Sequence, residues 1–230
     1  MRDSRDLERH GRRKANGAET ILVEAAVESL ESALVAEGDG ANRLELCANL
    51  NDGGTTPSAA LIAEVLDKAK LPVFMMIRPR GGGFIYSDDE ITAMTRDIVK
   101  AGGMGVAGIV TGALTPDARV DLERTRTLVS AAAGLPVTFH RAFDRAQNLP
   151  DALEQLIHAG VSRVLTSGGA ATALEGASVI STLVDQAADR IAIIAGGGVR
   201  DHNVRELVAR TGVREVHARQ VRGISRALTG

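Results

Sequence analysis

Eight short apolar runs recur along the chain, separated by longer stretches with a different rhythm. The runs start at Thr20 (TILVEAAV), Arg43 (RLELCA), Pro72 (PVFMMIRP), Gly105 (GVAGIVTG), Pro136 (PVTFHRAF), Arg163 (RVLTSGG), Ile191 (IAIIAGGG) and Glu215 (EVHAR). Each is aliphatic or β-branched and nearly continuous, the pattern of a strand covered on both faces. The stretches between them include SAALIAEVLDKAK from Ser58 and LPDALEQLIHAG from Leu149. Their apolar residues return every three or four positions, so they read as amphipathic helices. Two helices carry start signals, Thr56-Pro57-Ser58 and Ser87-Asp88-Asp89-Glu90.

Eight βα units over residues 20–230 predict one α/β domain, a (β/α)8 TIM barrel. A doubly wound sheet is the second choice, because eight regular repeats without a break favour closure. The lead-ins alternate as well. HAGVSRVLTS and RTGVREVHA share a Gly-Val step before even-numbered strands, whereas LPV precedes the third and fifth. That alternation suits a barrel whose odd and even strands fill different interior layers. The last helix is expected to be short or missing, since only GISRALTG follows the eighth strand's exit. The seam between first and last strands would then fall to a neighbour, which predicts a homo-oligomer.

Residues 1–19 break the rhythm. They have no apolar periodicity and carry about +2, against about −4 for the rest, and are expected to be a disordered polar extension. Aromatics are only 2% of the chain, too few for a base-stacking platform, and the net charge of −2 supplies no basic footprint. No apolar run approaches the roughly 18 residues that a membrane span requires. Neither a nucleic acid nor a membrane is therefore expected as partner. The single cysteine, Cys47, excludes an intrachain disulfide and agrees with a cytoplasmic location.

Side chains alternate along a strand, so one parity choice sorts the polar residues. If Val23, Leu44, Leu46, Met75, Phe139 and Val216 face the helices, then Glu24, Glu45, Cys47, Arg78, His140 and His217 face the interior. All six are expected at the C-terminal mouth, where this fold places its chemistry. Carboxylates, an arginine and histidines are costly to bury without a use. They are also the groups for acid–base work on an anion. Glu24 or Glu45 would be base or acid with His140 as proton partner, Arg78 would hold the substrate, and His217 joins the catalytic set. The same residues could instead simply satisfy one another as a polar plug.

Glycines give a second cue. Thr166, Ser167, Gly168 and Gly169 end the sixth strand, and Gly196, Gly197 and Gly198 end the seventh. Such loops let backbone amides approach phosphate, and Arg80 in RPRGGGF could clamp another anionic group. The expected ligand is a small anionic or phosphorylated molecule. Isomerase, aldolase and lyase chemistry all stay open.

The segments RLELCANLNDGGTTPS, MIRPRGGGFIYSD, VTGALTPDARVD, VTFHRAFD, RVLTSGG and AGGGVR, with the later VHA, resemble the CutC family over about residues 20–219. The resemblance implies a (β/α)8 barrel and a cytoplasmic role in copper homeostasis, with copper as Cu(I) the bound ion. Cys47 in ELCAN would be the family cysteine, with His140 and His217, and Met76 behind them, as further soft donors. Some members carry additional cysteines just after the first strand, where this chain has Ala25 and Ala26.

Overall fold

In the computed structural model, which describes residues 20–229, eight parallel strands close in chain order into a barrel. The expected extension over residues 1–19 lies outside the described residues. The strands are β1 (Leu22–Val27), β2 (Arg43–Leu46), β3 (Val73–Met76), β4 (Gly108–Thr111), β5 (Val137–Phe139), β6 (Arg163–Thr166), β7 (Ala192–Gly196) and β8 (Glu215–Ala218). Helices α1 (Leu30–Gly38), α2 (Ala59–Lys68), α3 (Asp88–Met104), α4 (Leu122–Ala131), α5 (Leu149–His158), α6 (Ala177–Ala187) and α7 (Val204–Thr211) alternate with them. The start signals hold. Ser58 caps α2 through the Leu61 amide, and Ser87 and Glu90 form a capping box on α3. The expected short final helix is α8 (Ile224–Thr229), which buries Ile224 and reaches back to the Gly40 carbonyl through the Ser225 hydroxyl. Among the described residues, no helix is long and apolar enough to cross a membrane.

Alternation divides the protein into two compartments. Outward residues such as Val23, Leu44, Leu46, Met75, Ile109, Phe139, Val164 and Val216 merge with the apolar faces of the helices into one continuous core. Inward residues make a smaller cluster of Ala26, Cys47, Phe74, Met76 and Val110, with Leu50 from the loop above. Below that cluster the interior is ionic. Arg43, the first residue of β2, pairs with Glu24 and with Glu215. Arg163, the first of β6, donates from Nε to Thr138 Oγ1 at 3.0 Å, and its guanidinium lies 3.8 Å from the centre of the Phe74 ring. The Arg43 guanidinium lies 5.0 Å from the same ring. Gly108 makes room for it, since a Cβ there would stand 1.9 Å from Phe74 Cε1. Phe74 thus fills the barrel interior beside the two arginines of the ionic layer.

Candidate active site

At the C-terminal end of the strands lies a cavity of about 790 Å³. Glu45, Arg78, His140 and His217 line it, so the parity argument delivers four of its residues to one place. A larger lateral groove of about 1070 Å³ between α1 and α8 contains none of the buried polar side chains. Of the two, only the mouth is lined by buried polar side chains.

Glu45 is the anchor. It lies inside β2, and its Oε2 accepts from His217 Nε2 at 2.8 Å and from the Cys47 thiol at 3.7 Å. Burial would raise the carboxyl, but the facing His217 outweighs it and holds Glu45 below the usual carboxylate range. Burial likewise opposes the charged imidazole of His217, and Glu45 overcomes it, so His217 is raised. The two form a buried ion pair, and Glu45 Oε1 has no partner.

Glu24 lies lower than the sequence suggests. It is the third residue of β1, in register with Arg43 and His217, and it does not line the cavity. Its Oε2 is held by Arg43, while its Oε1 is buried without a partner. Ligand atoms of Glu24, Glu45 and His217 all lie within 4.8 Å of one another, the one such set among the described residues. Cys47, His140 and His217 do not form such a set.

His140 is not the proton partner of Glu45, because His217 occupies that position. It follows directly on β5, and its Nδ1 accepts from the Ala142 amide at 3.2 Å. Burial, reinforced by the charge of Arg78, pushes the imidazole down to about 4, so it is neutral. An unfolded chain takes up this proton near 6.5, so between the two values the unfolded state binds more protons. Stability therefore falls as pH falls through that window, by on the order of 3 kcal/mol for this one group. Urea midpoints at pH 7 and pH 4.5 should show a steeper loss in the wild type than in His140→Asn. Equal losses would reject this account of the neutral ring.

Arg78 follows β3 and is tied down by carbonyls. Nη1 donates to Asp52 O and Gly54 O, both at 3.0 Å, and Nη2 to Gly82 O at 2.8 Å. Arg80 departs from expectation. It pairs with Glu90 at 2.6 Å, stacks on Tyr86 and stays outside the mouth, so it clamps no ligand there.

The Thr166–Gly169 loop also corrects an expectation, because its anion is already present within the chain. Asp144 Oδ1 accepts from the Thr166 hydroxyl at 2.5 Å and from the amides of Ser167 at 3.0 Å and Gly169 at 3.1 Å. Its Oδ2 accepts from the Ser167 hydroxyl at 3.0 Å and Arg141 Nε at 2.8 Å. The Gly168 amide turns to Thr166 Oγ1. These donors are consumed by a side chain and are not offered to a ligand. Asp144→Ala would strand several of them at a cost of about 2–3 kcal/mol, read as a lower urea midpoint. Asn, which keeps the shape but not the charge, should recover only part. In the next loop, Gly197 and Gly198 do reach the mouth, at φ +106° and +73°. Gly196 lies below them, where a Cβ would stand 2.6 Å from Leu165 Cδ1.

The parity reading missed the arginines of the rim. Arg141, Arg145, Arg200 and Arg219 join Arg78, five guanidinium groups against the carboxylates of Glu45, Asp52 and Asp144. They lie on loops, where no strand alternation applies. The cavity is thus net cationic above a carboxylate–imidazole pair.

A family model described as "CutC family" matches residues 21–222. The chain belongs to the CutC family. The copper homeostasis protein cutC homolog of Homo sapiens is 47% identical over 204 residues, covering 89% of this chain and 75% of that protein. The family protein CutC of Pasteurella multocida (strain Pm70) is 49% identical over 197 residues, covering 86% and 81%. The crystal structure of the putative copper homeostasis protein CutC from Streptococcus agalactiae superposes with a TM-score of 0.84 at 36% identity, covering 88% of this chain and all of that one.

Membership of the CutC family raises a test of fit, since two of these relatives are named for copper homeostasis. Cu(I) favours thiolate, thioether and imidazole. In this CutC barrel, burial first and then the charge of Glu45 push the Cys47 thiol well up, which opposes the thiolate. The convergent set of Glu24, Glu45 and His217 offers two carboxylates and one imidazole, donors for a harder ion. That set of two carboxylates and an imidazole does not make a soft Cu(I) centre.

Proposed function

We propose that the mouth binds a small organic anion and moves a proton on it, with Glu45 as base and His217 as its charged partner. The observation that carries this reading is the Glu45–His217 pair at 2.8 Å, with Glu45 Oε1 buried and without a hydrogen-bond partner, at the floor of an arginine-lined cavity. Glu45 is buried and His217 largely so, which leaves their charges less screened than in open water. Arg145, Arg200 and Arg219 would draw in the anion, and Gly197 and Gly198 would let a phosphate approach the backbone. The reaction class is proton abstraction beside a carbonyl, the step shared by isomerases, aldolases and lyases. The test is solvent exchange. A panel of carbon acids bearing carboxylate or phosphate is incubated with the protein in deuterated water. The wild type should exchange at least one member, and Glu45→Gln should lose about 10²–10⁴-fold. Full exchange by Glu45→Gln rejects the assignment.

A second reading is copper as cargo in the cytoplasm, as the relatives' names suggest. One observation favours it. A Cβ on Gly54 would meet Cys47 Sγ at 3.1 Å and Met76 Cε at 3.4 Å, so a thiol and a thioether share one corner. Anaerobic Cu(I) titration against a chromophoric competitor, beside Cys47→Ala, decides it. Stoichiometric binding lost in the variant supports this reading, and identical curves remove it. Self-association is a separate proposal, resting on the open side of α1 beside α8, where Val35 is 57% exposed. A monomer at micromolar concentration in sedimentation velocity would exclude it.

A further inference from the structure

We propose that Arg78 Nε–H and His140 Nε2–H form a two-donor oxyanion hole, covered by Phe84, for a carbonyl or carboxylate oxygen of the substrate. This rests on the reading of the mouth as an organic-anion pocket. Both residues line the mouth, and both atoms are buried without a partner. A buried donor left unpaired costs about 1–3 kcal/mol, so an oxygen of a bound ligand would relieve both of these N–H groups beside the cavity.

Neither donor can turn away. The other guanidinium nitrogens of Arg78 are committed to the carbonyls of Asp52, Gly54 and Gly82. The Ala142 amide occupies Nδ1 of His140, which leaves the ring proton on Nε2. Donors fixed before the substrate arrives need no reorganisation when charge develops. They also share one cover. The Phe84 ring centre lies 4.9 Å from Arg78 Cζ and 5.0 Å from the His140 ring. The Phe84 backbone is pinned, its carbonyl accepting from the Leu114 amide at 2.8 Å, but the residues before it are Gly81, Gly82 and Gly83. The ring is half-buried.

The donor pair specifies a chemistry. One donor is cationic and the other neutral, which suits an oxygen that gains charge during the reaction. Glu45 takes a proton from the carbon beside a carbonyl. The C–H electron pair becomes the new C=C bond, the C=O π pair moves onto oxygen, and that enolate oxygen accepts from Arg78 and His140. The proton resides on Glu45 until it is returned to carbon. No oxidant or further reactant is required.

Oxalate, a planar dianion resembling such an enolate, is the probe. In the full chain labelled with ¹⁵N-histidine, oxalate should move the His140 Nε2–H proton resonance downfield. By calorimetry, His140→Ala and Arg78→Lys should each weaken oxalate about tenfold or more, whereas His140→Gln, which keeps an N–H donor, stays close to the wild type. Phe84→Ala should bind oxalate at least as tightly as the wild type, because only the cover is removed. Circular dichroism identifies a variant that fails to fold, in which case the ¹⁵N measurement on the wild type decides alone. An unmoved resonance, absent oxalate binding, or equal affinity in wild type and His140→Ala overturns the hole. Deuterium exchange that depends on Glu45 would survive all three of those results, so the wider reading stands or falls separately.

Discussion

Arg43→Ala should destabilise the barrel by about 3–5 kcal/mol, because it strands two carboxylates in the interior at once. Arg43 is the shared partner of Glu24 and Glu215, and Glu24 is fully buried. Taking ions out of water is expensive, and only the facing charge makes it tolerable. The guanidinium accordingly holds its proton more firmly than usual: burial works against it, but the attraction of Glu24 and Glu215 prevails. The loss should appear as a lower urea midpoint with an unchanged slope. Replacing all three charges together, as Glu24→Leu with Arg43→Met and Glu215→Leu, should recover most of it, since an apolar core of similar volume needs no pairing. A loss under about 1 kcal/mol in the single variant would mean that water or another group already compensates these carboxylates.

The second large effect is expected at Gly108. An added methyl would stand 1.9 Å from Phe74 Cε1 and 2.4 Å from Cδ1, well inside any real contact. The ring has little room to retreat, with the Arg163 guanidinium 3.8 Å from its centre. Overpacking of this kind costs about 1–3 kcal/mol, and the rigid surroundings place Gly108→Ala at the upper end. Phe74→Leu should relieve part of that strain, so the double variant should be more stable than the sum of the singles by about 1 kcal/mol or more. Strict additivity would show that the methyl is accommodated elsewhere.

The barrel was legible because buried parallel strands write themselves as continuous apolar runs, and the closed order follows from eight of them. The parity of each run was equally plain, which is why Glu45, Arg78, His140 and His217 share one cavity. The same parity applied to Arg43, Arg163 and Glu215 would have found the ionic layer, but each stands at a strand's first position and reads as a polar flank. Depth is the quantity that alternation does not encode. Glu24 has the inward parity of the mouth residues yet does not line the cavity, because depth depends on register across the whole closed sheet. The pairing of Glu45 with His217 rather than His140 is hidden for the same reason, since β2 and β8 are neighbours only through β1. Arg80 and the Thr166–Gly169 loop were misread through a different gap. Residue type gives a group's capacity to bind an anion, but Glu90 and Asp144 had already used that capacity.

The Asp144 carboxylate has a consequence for which solutes can reach the loop after β6. A tethered group competes at an effective concentration set by its linker, millimolar for a short flexible one and higher when the linker is rigid. Asp144 lies in a short 3-10 turn, Phe143–Arg145, and accepts from four donors of the loop: the Thr166 and Ser167 hydroxyls and the Ser167 and Gly169 amides. Free phosphate or sulfate must outbid a resident competitor that never diffuses away. The loop beyond β6 therefore has few donors left for anions around it, and the cavity's arginines on this side, Arg200 and Arg219, stand on the loops after β7 and β8.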